Sequence, residues 1–342
     1  MNRLDKVSGS LFGLAYGDAF GAPTEFLHVK DILARWPPAG PTDLEGTPAR
    51  VTDDTQMALA VGEALAACLA AGTLTPGAVE RELRRGFTEW LRSPDNNRAP
   101  GMTCLKACEG LAAGKPWRQA TVEYSKGCGA NMRVPPVGLL PAGGAAADER
   151  RAAVAQFQAA LTHGHPTALA ASDLTARAVA ELAAGEEPRR LHATLTDYAR
   201  SQRRAYHEEW LGPLWQRPGE ETPQEFIARG WEECLGVLDR LGGALRSPDY
   251  DADPCLATGA GWVAEEALAT GLLCFLMYTD APRKVLQRAA VTSGDSDSIA
   301  CLAGAFAGAH LGGEAWPAEW PERIEYRARL DALARRLGGP EA

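Results

Sequence analysis

Two acidic stretches place more side-chain oxygens at a helix start than a helix needs. They are VTDDTQMALAV at residues 51–61 and SGDSDSIACLAGAF at residues 293–306. One acid or hydroxyl can cap a helix, and the helix dipole favours negative charge in the first turn. Thr52 or Asp53 can serve in the first stretch, with Gln56 three residues after Asp53 as in a capping box. Asp54 is then surplus, and its neighbour carries the same charge. In the second stretch Asp295, Asp297 and Ser298 offer five side-chain oxygens within four residues. Behind them Ala300, Ala303, Gly304, Ala307 and Gly308 are small enough for another backbone to come close. That makes a buried central helix, with the acids at its sealed end. Buried unpaired carboxylates are costly, and a hard divalent cation such as Mg²⁺ or Mn²⁺ removes that cost by taking oxygen ligands. The surplus acids are accounted for if the two helix starts, about 240 residues apart, face each other across a metal site.

Other metal chemistries fit less well. DSDSIACLAGAF fails as an EF-hand loop because Ala300 and Phe306 occupy its sixth and twelfth positions. His163 and His165 could form a zinc pair, but no third His or Cys follows at a recognised spacing. EYSKGCGANMRVPPVG, residues 123–138, is rich in glycine. Gly127 and Gly129 would let backbone N–H groups approach an anion such as a diphosphate, or they simply form a turn before a helix. The stretch does not match a P-loop or a dinucleotide fingerprint.

Elements must position these groups, and their period is helical. Met57, Val61, Ala64, Leu65 and Cys68 fall on one helix face, and Gly72 ends that helix. Thr75 and Pro76 open the next. DERRAAVAQFQAALT, PTALAASDLTARAVAELAAG, TPQEFIARGWEECLGVLDRLGG, GWVAEEALATGLLCFLMY and APRKVLQRAAV read as further helices. No period-2 series, βαβ alternation or fixed repeat occurs. The expected fold is all-α, a single compact multi-helix domain over residues 1–342, with a peripheral C-terminal segment from about residue 313. Long loops at residues 36–50, 93–103, 125–147 and 245–260 are expected to line a functional cleft.

Bulk properties narrow the function classes. The chain of 342 residues is 46% apolar and 23% charged, ordinary for a globular protein with a sizeable core. Its net charge of −9 disfavours binding to a nucleic-acid backbone. Gly13, Gly17 and Asp18 interrupt any signal-peptide apolar run. ATGLLCFLMY, the most apolar run, is too short for a membrane span. The eight cysteines include no CxxC pair and suggest reduced thiols in a cytoplasmic protein.

Taken in order, GSLFGLAYGDAFGAPTEF, TDDTQMALAV, KGCGANMRVPPVGLLP, LTHGHPTALAAS and GDSDSIACLAGAFAGAHLG resemble the motifs of the ADP-ribosylglycohydrolases. The resemblance runs from about residue 7 to 312, and the two acidic motifs together are its most specific part. It implies an orthogonal helix bundle around two Mg²⁺ or Mn²⁺ ions. It further implies that Thr52, Asp53 and Asp54 hold one ion, that Asp297 bridges both, and that Asp295 and Ser298 complete the second. Glu25 matches an acid over the metals that contacts the attacking water or the ligand. Ser125, Gly127 and Gly129 match a diphosphate-cradling loop, and His163 a ribose-contacting histidine. Family members most often carry Thr at the position of Ser298. Many arginine-specific members have an Asp in the loop where Asp95 is the nearest acid here. The implied activity is hydrolysis of the bond from ADP-ribose to a modified side chain, arginine-linked by preference, with metal-activated water attacking C1″. The expected partners are an ADP-ribosylated protein or a small ADP-ribosyl conjugate. Another ADP-ribose conjugate, a phosphoester substrate or non-catalytic binding are the alternatives.

Overall fold

In a computed structural model of the chain, residues 1–339 are described. Its longer helices are α1 (Arg3–Gly21), α2 (Asp53–Ala70), α3 (Pro76–Arg92), α4 (Met102–Ala112), α5 (Ala145–Ala160), α6 (Pro166–Ala184), α7 (Pro188–Gln202), α8 (Pro223–Arg246), α9 (Ala264–Met277), α10 (Pro282–Ala290), α11 (Ser296–Leu311) and α12 (Arg327–Gly338). Among the described residues, β pairing is limited to isolated bridges: Ala49 with Ile324, Val122 with His163 and Gly127 with Val263. One large hydrophobic cluster draws on residues from Val7 to Leu337. The fold is therefore all-helical and forms one compact domain. No helix among the described residues is long and apolar enough to cross a membrane.

The central pair is α1 with α11, the most extensive helix contact in the fold. Gly9, Gly13, Gly17 and Gly21 recur every fourth residue on α1. They meet Gly308, Gly304, Ala300 and Ser296 of α11 in antiparallel order, and a Cβ added at any of the four would come within 3.0 Å of partner backbone. Small residues on both faces let the two backbones touch. The close packing expected of the α11 stripe is present, although helical period alone does not single out α1 as its partner.

This pairing carries the end of α1 to the start of α11. Thr24 Oγ1 donates to the Gly21 carbonyl at 2.8 Å and lies 3.0 Å from Ser296 Oγ, while Ser296 Oγ donates to the same carbonyl at 3.0 Å. Glu25 follows directly and is held beside Asp295 and Asp297. On α2, Met57, Val61, Ala64, Leu65 and Cys68 are all buried, as the period predicts.

Two expectations are corrected. The C-terminal segment is not peripheral: Trp316, Trp320, Leu330, Leu333 and Leu337 are buried, and α12 packs on α1 and α2. Its frequent charges belong to outward positions of an amphipathic helix. Residues 340–342, the end of that segment, lie outside the described residues. Of the four long loops, residues 99–103 and 127–129 line the cleft described below. The loop at 36–50 instead meets the C-terminal segment, where Asp43 accepts from Trp320 Nε1 and Arg323. The loop at 245–260 does not line the cleft.

Candidate active site

A buried acid on α1 fixes the first acidic helix start. Asp18 accepts hydrogen bonds from the backbone N–H groups of Thr52 and Thr55, both at 3.0 Å, and from their hydroxyls at 2.8 and 2.5 Å. Thr52 is the N-cap of α2, with Oγ1 accepting from Asp54 N at 3.3 Å. Gln56 makes no capping box. It accepts from Trp90 Nε1 and donates to the Asp95 carbonyl, tying α2 to α3 and the loop beyond it. Asp18 anchors the first acidic start, and motif reading passed over it. An acid within the apolar, glycine-striped face of α1 was the available signal.

Both acidic starts open on one cleft of about 390 Å³. Asp53, Asp54, Asp295, Asp297 and Ser298 line it, with Glu25 at its edge. Oxygens of Glu25, Asp295 and Asp297 come within 4.8 Å of one another. Asp53 Oδ2 accepts from Gly101 N at 3.2 Å, and Asp297 Oδ1 accepts from Ser298 N at 3.0 Å. Burial pushes Asp18 and Asp53 up to about 7, with Asp297 adding repulsion at both. Glu25 is pushed up to about 9 by burial, then by Asp297, Asp53 and Asp18. Asp54 and Asp295 rise well above the usual carboxylate range for the same two reasons.

So many acids cannot ionise together without positive charge among them. Asp54 Oδ1 is buried and has no hydrogen-bond partner. A buried acceptor left open, in a set of carboxylate and hydroxyl oxygens, suits a hard divalent cation. The residues named for metal binding therefore fit such an ion. His163 and His165 do not form a zinc pair: His163 lies behind the glycine-rich loop, while His165 caps α6, accepting from Thr167 N at 3.2 Å.

The glycine-rich loop forms one wall. Ser125 Oγ is 2.9 Å from Thr103 Oγ1 and 3.4 Å from Gly127 N. A Cβ on Gly127 would sit 3.4 Å from His163 Nε2, while one on Gly129 would strike Cys104 Sγ at 2.7 Å. Gly129 is thus required by packing behind the loop. His163 is buried and its basicity is lowered, by burial first and then by Arg133. Arg133 donates to Thr162 Oγ1 at 2.8 Å, and Thr162 Oγ1 lies 2.8 Å from His163 Nδ1. Thr162 Oγ1 also lies 3.4 Å from the Ala159 carbonyl, so Arg133 and Thr162 together fix the orientation of the His163 ring. Arg133, wholly buried, also holds Gln158 and was missed as a support for this wall. Cys128 Sγ donates to Asp295 Oδ2 at 2.7 Å.

At the mouth, the exposed rings of Phe26 and Trp262 stack with centroids 5.6 Å apart. Phe26 has φ +64°, a strained value for a residue with a Cβ. Asp95 is not brought to the cleft. Its carboxylate accepts from Tyr326 of the C-terminal segment at 2.8 Å, and its lone proximity in sequence gave no hint of that partner.

The family model for ADP-ribosylglycohydrolase matches residues 1–341. The chain belongs to the ADP-ribosylglycohydrolase family. Its members are enzymes. The ADP-ribosyl-[dinitrogen reductase] glycohydrolase of Rhodospirillum rubrum is 27% identical, over 96% of this chain and 95% of its own. An ADP-ribosylarginine hydrolase of Pseudomonas putida is 26% identical, over 98% of this chain and 78% of its own. The human ADP-ribosylhydrolase ARH3 is also 26% identical, over 98% and 93%. A solved structure described as an ADP-ribosylglycohydrolase-related protein complex superposes with a TM-score of 0.67 at 22% identity, covering 100% of this chain and 99% of that one. That likeness supports the fold.

Proposed function

We propose that the cleft hydrolyses the bond between C1″ of ADP-ribose and a modified side chain, with arginine-linked conjugates preferred. Divalent ions, Mg²⁺ or Mn²⁺, would be held by Thr52, Asp53, Asp54, Asp295, Asp297 and Ser298. The observation that carries this reading is the convergence of two acidic helix starts and Glu25 on one cleft walled by the glycine-rich loop. When bound, such ions supply the positive charge that lets the acids ionise together and the Lewis acidity that orients ribose hydroxyls and water. Glu25, at the cleft edge and with an oxygen within 4.8 Å of Asp297, would take a proton from the attacking water. The ring of His163 and the loop from Ser125 to Gly129 would receive the ribose and diphosphate.

Support for an arginine linkage comes from three directions. One relative, matched over 78% of its own length, is named an ADP-ribosylarginine hydrolase. The net charge of −9 favours encounter with a cationic acceptor. The paired rings of Phe26 and Trp262 can stack on a planar guanidinium. With Asp95 tied to Tyr326, Glu25 is the remaining acid at the mouth. The test is release of free ADP-ribose from arginine-linked and serine-linked substrates at equal metal and salt. Arginine-linked turnover should be faster and should fall with ionic strength. Faster serine-linked turnover overturns the linkage, and no ADP-ribose from either overturns the hydrolase reading.

A further inference from the structure

Cys128 brings a soft donor to a site otherwise built of oxygens. Its Sγ lies 2.7 Å from Asp295 Oδ2 and 3.5 Å from Ser298 Oγ. The backbone aims it there: Cys128 N donates to the Trp262 carbonyl at 3.2 Å, and the flanking Gly127 pairs with Val263. The thiol lines the same cleft as Asp54, whose buried Oδ1 has no hydrogen-bond partner. A residue with an unpartnered acceptor and a thiol therefore line one cleft. We propose that Cys128 is itself a ligand of a divalent ion at this site, with Asp295, and biases the site toward thiophilic ions such as Zn²⁺, Co²⁺ and Cd²⁺ relative to Mg²⁺.

This rests on the metal-site reading above. Sulfur ligands select softer ions, whereas carboxylates and hydroxyls suit Mg²⁺ and Mn²⁺. On ligation the S–H bond gives up its proton to solvent and a sulfur–metal bond replaces it. The Asp295 oxygen that had accepted from the thiol turns to the same ion, and nothing is oxidised or reduced. A thiol that serves only as a hydrogen-bond donor to Asp295 would leave ion preference unchanged.

Co²⁺ is the probe, added to the full-length, metal-free protein. A bound thiolate gives Co²⁺ a near-ultraviolet charge-transfer absorption that oxygen ligands do not. The wild type should develop this band, and Cys128→Ser should lack it while calorimetry still shows Co²⁺ binding. The ratio of Zn²⁺ to Mg²⁺ affinity should fall about tenfold or more in the variant, the scale of other metal-site substitutions. An unchanged thermal midpoint of the metal-free variant would show that its fold is intact. Co²⁺ binding to the wild type without the band, or a band that persists in Cys128→Ser, overturns the role of the thiol alone. Absence of Co²⁺ binding to either protein overturns the metal-site reading as well.

Discussion

Removing a charge from the acid cluster should stabilise the protein without metal and destabilise it with metal. Asp53 is the best probe, because Asn keeps an oxygen for the Gly101 N–H group. In the folded, metal-free protein burial, then the charge of Asp297, pushes Asp53 up to about 7 from 3.8. Between those values the folded state binds more protons than the unfolded state, so stability is lost as pH rises through the window. Each tenfold change in proton affinity corresponds to about 1.4 kcal/mol, so the full interval at Asp53 corresponds to about 4 kcal/mol. That is an upper bound, because Asp18, Asp53 and Asp297 share the same repulsion. The wild-type pH profile alone would mislead. Burial lowers His163, His165 and His207, which makes stability rise with pH below about 6.5. The difference between Asp53→Asn and wild type cancels that contribution. Urea denaturation with EDTA at pH 5, 6, 7 and 8 should show the variant gaining on wild type as pH rises, by up to about 3 kcal/mol, the part of that interval lying above pH 5. With saturating Mn²⁺ the order should reverse, since the wild type gains more from binding. A variant whose deficit or surplus is the same at every pH without metal would refute the reasoning.

Asp18→Asn should weaken Mn²⁺ binding by about tenfold or more, because an amide cannot receive all the donors of Thr52 and Thr55; calorimetry reads this directly. Ser298→Thr should keep most ADP-ribose release while Ser298→Ala loses it, and full activity in the Ala variant would remove that hydroxyl from the site. Gly304→Val should lower the thermal midpoint, with about 1–3 kcal/mol lost, because its side chain enters the Gly13 carbonyl; a neutral result would contradict the backbone contact of α1 and α11.

The all-helical class and the buried α11 stripe were legible because small and apolar residues repeat at helical spacing over several turns. The pairing of TDDT with GDSDS was legible as chemistry, since neither start needs its surplus acids alone. Their juxtaposition is a matter of tertiary packing, set by the four glycines of α1 against α11 and by Asp18 at the start of α2, and helical period does not reveal partners. Asp18 escaped for a related reason: its donors are 34 and 37 residues away. Asp95 was drawn toward the cleft by loop position, whereas a hydroxyl on Tyr326, 231 residues further on, holds it elsewhere. The C-terminal segment looked peripheral from its charges, yet its Leu and Trp residues are buried.

The most direct measurement is release of free ADP-ribose from an arginine-linked conjugate by protein stripped with EDTA and then titrated with Mn²⁺ or Mg²⁺. Release should be lost on stripping, return on reloading, and fail to return in Asp297→Asn. Turnover that survives EDTA, or that returns fully in Asp297→Asn, would contradict a hydrolase built on two facing acidic helix starts.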